Sequence, residues 1–473
     1  MSSGALRMTE VRDSAYELAQ SAVSIQFDGL SGDVVSATLD ALFDSLAVAL
    51  AGIDAPGVVE ARTAFLPWAG GRATVWGGFP PMAAPFAALL NAASLHALDY
   101  DDTDDDVPLH ANSVVLPALI ADVEEVAPGC AGREFLTSLA VGLDGAMRVG
   151  RAGIPRGSRG WNYSVVSGGI GATLALSRLR GFDVDTAVSA LGHQLAQTSG
   201  SLQSIVDGSL AKRFQPAMAA KDVVVGVTLA AAQVDGPRNV FDGKAGLIEL
   251  YQDGSYDHSI LLGDLGGASL VPRLSLKPYP ACRFTHGGID AALALRERGV
   301  RYEDVARMRI VISGQAMNMV GRPFDYHTAT VVDAQFSISY AATVALMCGG
   351  VAIRDFDRER VRDPRFGEFI ADKVDLIVDN SIPHLAIAPV TVLVDLVDGR
   401  TFEHVCDQVS GSPQRRLTSE QLLAKAHDCL QSSASPVEAK DLWNAVHALV
   451  DDRPVAGLLE LLKRSVTTGG VPK

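Results

Sequence analysis

The chain has 473 residues, beyond the ~250–300 at which a single hydrophobic core stops growing, so two domains are expected. Hydrophobic residues make up 48% and charged residues 20%, a globular composition with ample material for a large core. The formal net charge of −15 argues against nucleic acid and anionic membrane as partners, and leaves any small anionic substrate to a local pocket built from a few basic residues.

Aromatic residues are only 6% and Ala and Gly are abundant, which favours closely packed helices. In chain order, apolar residues at helical spacing predict helices over residues 33–52, 81–98, 113–126, 132–150, 164–179, 185–196 and 218–234. Gly-, Pro- and Asp-rich stretches separate them. Gly168-Gly169-Ile170-Gly171 lacks both a preceding strand and nucleotide-loop spacing, so close helix packing is the expected use. From residue 268 the character changes. Residues 305–313 read as a strand, and residues 389–396 and 401–409 as a hairpin around Asp398-Gly399. Helical patterns lie between them at 286–298, 334–348 and 364–378, and the tail is helical again from Thr418. The expected class is mainly α with α+β: a large helical domain from residues 1–267 and 410–473, and a smaller α+β lid domain from 268–409, with a site in the cleft between them.

The five cysteines are odd in number, widely spaced and without C-x-x-C, which fits reduced thiols in a cytoplasmic protein and argues against an iron–sulfur cluster. No basic-then-apolar leader is seen at the N-terminus, and no charge-free apolar run reaches ~18 residues, so neither a signal peptide nor a membrane span is expected.

Three stretches carry chemistry. Asp99 to Asp106 holds six carboxylates in eight residues, directly after an apolar helix and ahead of His110. It reads as an exposed acidic loop, as a loop at a pocket mouth, or, through the D-D-x-x-D spacing of Asp101–Asp105, as a Mg²⁺ site of the kind that ionises diphosphates. Lys212 and Arg213 precede a small-residue helix, a natural carboxylate receptor or simply a solvated basic pair. Lys277-Pro278-Tyr279-Pro280 leads to Thr285, a candidate helix cap, and to His286, a candidate acid or base or a structural histidine.

Together and in this order these stretches resemble the MmgE/PrpD family, which includes 2-methylcitrate dehydratase, cis-aconitate decarboxylase and iminodisuccinate epimerase. His96–Thr103 is similar to the family's H-A-L-D-F-D-D-T, Lys277–His286 to its K-x-Y-P-x-C-x-x-T-H, and Arg322-Pro323-Phe324 and Phe336–Tyr340 also fit. The resemblance implies a homodimer without metal or organic cofactor. It implies Asp99, His110, Lys212 and His286 as catalytic residues, and Thr103, Asn162, Tyr163, Arg213, Lys277 and Met319 as substrate-binding ones. The activity implied is a lyase, dehydrating or decarboxylating a small di- or tricarboxylate by proton transfer beside a carboxylate. An epimerase, or a member with a specialised substrate or no turnover, is the alternative. The chain departs from the family at Asn162 and Gln215, where histidines are usual, at Met319, where decarboxylases have tyrosine, and in a loop from Thr103 to His110 one residue longer than usual.

Overall fold

The computed structural model describes residues 12–153, 160–433 and 435–464; the first eleven, on which the expectation about a leader rests, lie outside them. Helix α1 (Ser14–Ser24) is capped by the Asp13 carboxylate, which accepts from the Ala15 N–H, and Ser31 caps α2 (Gly32–Ala51) through the Val34 N–H. By length and composition alone α2 and its extension to Asp54 are apolar enough to cross a bilayer, although the span is not charge-free, carrying Asp33, Asp40, Asp44 and Asp54. The side chains of that span are mostly buried, and α2 is a central helix of the protein's own core. After α3 (Val58–Phe65), the strands β1 (Ala73–Val75) and β2 (Phe79–Met82) pair antiparallel. Residues 81 and 82, expected in a helix, are therefore strand: Pro80 and Pro81 cannot donate in a helix but fit an extended edge.

The helices α4 (Ala84–His96), α5 (Asn112–Val126), α6 (Gly132–Ala152), α7 (Tyr163–Leu179), α8 (Val184–Gln197) and α10 (Phe214–Ala231) pack on one another, with α4, α5 and α6 directly against α2, and the short α9 (Gln203–Val206) lies in sequence between α8 and α10. The expected glycine contact is present where α6 meets α7: a Cβ at Gly171 would lie 2.3 Å from the Gly142 carbonyl oxygen. A two-residue strand after α4, β3 (Thr103–Asp104), pairs antiparallel with β4 (Leu274–Ser275), which follows the small helices α11 (Leu247–Gln252) and α12 (His258–Leu262).

The second part holds α13 (His286–Glu297), β5 (Val305–Ile312), α14 (Gly314–Val320), α15 (Val331–Gln335), α16 (Ile338–Cys348), α17 (Arg358–Val361), α18 (Pro364–Lys373), β6 (Val374–Val378), β7 (Val390–Leu396) and β8 (Thr401–Cys406). Its sheet runs β6-β5-β7-β8, with β5–β6 parallel and the other pairs antiparallel. Val390, Val392, Val394 and Leu396 of β7 are buried and alternate with half-exposed residues, so one face of the sheet is the core face. The helix expected over 364–378 is two elements, because Val374–Val378 leaves α18 to form the edge strand. The one expected over 334–348 starts only at Ile338, after α15. The last described helices are α19 (Ser419–Ser432), α20 (Ala439–His447) and α21 (Ala456–Leu462), whose buried Leu422, Leu442 and Leu462 share a core with α2. Residues 281–409 gather a separate core. The architecture is mainly helical with two domains.

Candidate active site

Helix α4 delivers the chain to Asp99, which adopts φ +53°, a left-handed conformation that Asp tolerates better than most residues. This turn sets its carboxylate against two buried lysines from distant segments. The Lys212 ammonium, in the turn before α10, lies 2.6 Å from Asp99 Oδ1, and Lys277, after β4, lies 3.4 Å from the same oxygen. Lys277 also donates to the Asp99 carbonyl at 2.9 Å. Burial alone would push the Asp99 carboxyl up, but Lys212 and Lys277 outweigh it and hold the group well below the usual carboxylate range. Asp99 Oδ2 is buried without a protein partner. An ammonium carries three donors, so Lys212 retains N–H groups for an incoming carboxylate.

Beside this pair, His96 Nδ1 lies 2.7 Å from Asp101 Oδ2, and His110 Nδ1 lies 3.6 Å from the same oxygen. His110 Nδ1 is also 2.7 Å from the Asp102 carbonyl oxygen. A carbonyl only accepts, so His110 carries its proton on Nδ1 and leaves Nε2 as a free base. Burial holds the His110 imidazole down at about 3, against the pull of Asp101, and so keeps it neutral. His96 and His286 are likewise lowered by burial. Among the described residues, His96, Asp101 and His110 have ligand-capable atoms within 4.8 Å of one another and are the group that would suit a divalent cation.

The acidic run is neither an exposed loop nor a D-D-x-x-D metal site. Asp99, Asp101, Asp102 and Asp104 are buried, and the carboxylates diverge to separate partners. Asp102 accepts from the Ala111 and Asn112 N–H groups at the start of α5. Burial, with the Asp101 charge added, pushes it up to about 8. Asp104 makes a two-pronged pair with Arg151, Asp106 joins the same arginine, and Asp105 grips Arg283 with both oxygens.

Other expected site residues are placed differently. His286 is fully buried: its Nε2 faces the Ala281 carbonyl at 3.1 Å and its Nδ1 faces the Arg283 guanidinium at 3.3 Å, so neither nitrogen is open to a substrate. Thr285 does not cap α13; its hydroxyl donates to the Cys282 carbonyl. Arg213 turns from the site to the Pro56 carbonyl, and the Thr103 hydroxyl points to the Asp104 carbonyl within β3. Asn162 caps α7 through Oδ1, and its Nδ2 donates to Gln215 Oε1 at 3.0 Å, while Gln215 Nε2 reaches Ser204 Oγ at 2.8 Å. Tyr163 is buried against Trp161, which pushes its phenol up to about 12. Met319 lies in a cleft between α9 and the α14–α15 segment. His96, Asp101 and Arg283 are further residues here that the sequence did not single out, although all three fall inside the quoted motifs; His96, five residues before Asp101, carried a local signal, whereas Arg283 meets Asp105 only through tertiary packing.

A two-domain, mainly helical chain whose buried site joins two lysines, one shared carboxylate and a neutral histidine defines the class. The chain belongs to the MmgE/PrpD family: the family's N-terminal domain matches residues 16–258 and its C-terminal domain residues 279–451. Among curated proteins it is 26% identical to a cis-aconitate decarboxylase-like protein of Aspergillus oryzae, over 94% of this chain and 96% of that one. It is 27% identical to the human cis-aconitate decarboxylase over 84% and 81% of the two chains, and 25% identical to that of Aspergillus terreus over 70% and 71%.

Proposed function

We propose that this chain is a lyase that removes water or CO₂ from a small di- or tricarboxylate by proton transfer at the carbon beside a carboxylate. The observation that carries this reading is the Asp99 carboxylate held between Lys212 and Lys277, next to a histidine with a free Nε2. Names of relatives that act on cis-aconitate support the substrate class.

Lys212 binds a substrate carboxylate, and Asp99 and Lys277 fix the position of its ammonium. The bound carboxylates bring negative charge to His110 and raise its basicity from the depressed value of the empty site. In dehydration, His110 Nε2 takes the proton, the C–H electron pair forms the double bond, and the hydroxyl leaves as water with that same proton returned to it from Nε2. In decarboxylation, the C–C bond breaks toward the carbon, CO₂ departs, and the carbanion, stabilised through the carboxylate on Lys212, takes a proton from His110 Nε2, which the bound carboxylates have let take one up from water. The positive charge that either path needs comes from lysine, so the reading requires no metal, and activity should persist after chelator treatment. His286 Nδ1 faces the Arg283 guanidinium and orients the Arg283–Asp105 pair.

A second reading, an epimerase, draws support from the Asn162–Gln215 amide pair, which cannot protonate a leaving group. Proton NMR in D₂O with citrate, 2-methylcitrate, cis-aconitate and iminodisuccinate separates the two. Loss of water or CO₂ that falls at least ~100-fold in Lys212→Ala and His110→Ala is the expected result. Deuterium entry without net loss would establish the epimerase, and silence on the whole panel would defeat both.

A further inference from the structure

Three consecutive carbonyls of the turn that presents Asp99 each accept from a side chain of a different, distant segment. The Asp99 carbonyl takes Lys277, and the Tyr100 carbonyl takes Lys425. The Leu98 carbonyl, just before the left-handed residue, accepts from Gln335 Nε2 at 2.8 Å. Leu98 packs on the helical core, whereas Gln335 ends α15, whose Ala334 belongs to the separate core of residues 281–409. This bond therefore joins the two domains at the turn itself. Gln335 is buried, and its own carbonyl accepts from the Cys282 N–H at 2.9 Å, so the amide is presented from a fixed backbone. The ring centre of the next residue, Phe336, lies 5.2 Å from the Lys212 ammonium. Two adjacent residues of the second domain thus reach both partners of one ion pair: Gln335 the turn that carries Asp99, and Phe336 the ammonium of Lys212. A neutral amide can hold the turn without adding a further cation beside Asp99.

We propose that Gln335 is a positioning residue: through it the second domain fixes the Asp99 turn, and with it the direction of the Lys212 ammonium. This rests on the lyase reading for what Asp99 and Lys212 do, and on the contacts alone for what holds them.

Gln335→Met keeps the length of the side chain and removes its donor. With the acid that the full chain turns over, kcat should fall about 10-fold or more while KM stays within about twofold, because the ammonium still binds the carboxylate but no longer holds it in line. In the Asp99→Asn background the same change should cost less than about twofold in kcat, since two residues that act through one turn are not additive. Hydrogen exchange read by mass spectrometry should show peptides covering residues 97–104 exchanging several-fold faster, with α16 unchanged. Equal losses of kcat in both backgrounds, or faster exchange in α16 with none at the turn, would show that Gln335 serves only the fold of its own domain and overturn the inference. If Gln335→Met does not fold, Gln335→Asn, which keeps the amide but falls a methylene short, is read by the same measurements. If no acid of the panel is turned over or exchanges deuterium, the lyase reading fails, and the exchange measurement still decides: faster exchange confined to the turn upholds Gln335 as its anchor, and unchanged exchange overturns it.

Discussion

At the scale of single residues, the site depends on how one carboxylate and three imidazoles are charged. Asp99→Asn is a sharp probe, because Asn also tolerates the left-handed backbone and keeps the side-chain shape. It removes the counter-charge that Lys212 and Lys277 share, so a carboxylate substrate should bind as well or better while the ammonium loses its fixed position. Steady-state kinetics should show kcat down by ~10²-fold or more with KM unchanged or lower; a pure rise in KM would reject this role. The histidines make a separate statement about stability. His96, His110 and His286 all titrate below the ordinary ~6.5 in the fold, His110 at about 3. The unfolded chain therefore binds more protons across that window. Their contribution is complete above pH ~6.5 and is lost as pH falls toward 3. Asp102, pushed up to about 8, contributes with the opposite sign over the same window, so the test is differential: between pH 8 and 4 the denaturant midpoint of the parent should lose more with acid than that of His110→Gln. Residue types at this scale were legible: Asp99, Lys212 and Lys277 were named from the sequence and meet in space. The orientation of His286 and Arg213 was not, because each turns to a backbone carbonyl, Ala281 or Pro56, brought near only by tertiary packing.

At the scale of elements, the long helices were legible because their apolar spacing and caps are local. The division of 364–378 was not. Phe366, Phe369 and Ile370 continue a helical face up to Lys373, and the strand that follows is decided by parallel pairing with β5, more than sixty residues away. The glycines of α7 show the opposite case, in which a local oddity has a local use. At Gly171 a Cβ would also lie 2.7 Å from the Ala146 Cβ, so α6 and α7 would have to separate. Gly171→Ala should destabilise the fold by about 1–3 kcal/mol despite the better helix propensity of Ala. Thermal unfolding measures this directly, and an unchanged or raised Tm would mean that the two helices are free to move apart.

At the scale of the whole molecule, the order of helical, mixed and helical segments was readable, but not what the last helices do for the site. Lys425 of α19 is buried, pairs with Asp44 of α2 at 2.7 Å, and donates to the carbonyl of Tyr100, the residue after Asp99, at 3.0 Å. Its ammonium also sits 3.9 Å over the Tyr100 ring. One side chain thus ties α19 to the central helix and to the turn that presents the Asp99 carboxylate. Lys425→Met leaves Asp44 buried without its cation, and breaking such a pair costs about 3–5 kcal/mol. Asp44→Leu combined with Lys425→Met removes both charges and should recover most of that stability, since a buried pair replaced by apolar groups is often neutral. Activity should not recover with it, because the Tyr100 carbonyl still lacks its donor and the Asp99 turn is held less firmly. Melting curves and kcat measured on the two variants separate these roles: stability and kcat restored together would show that Lys425 supports the fold alone, whereas stability restored with kcat still depressed assigns it the positioning of Asp99.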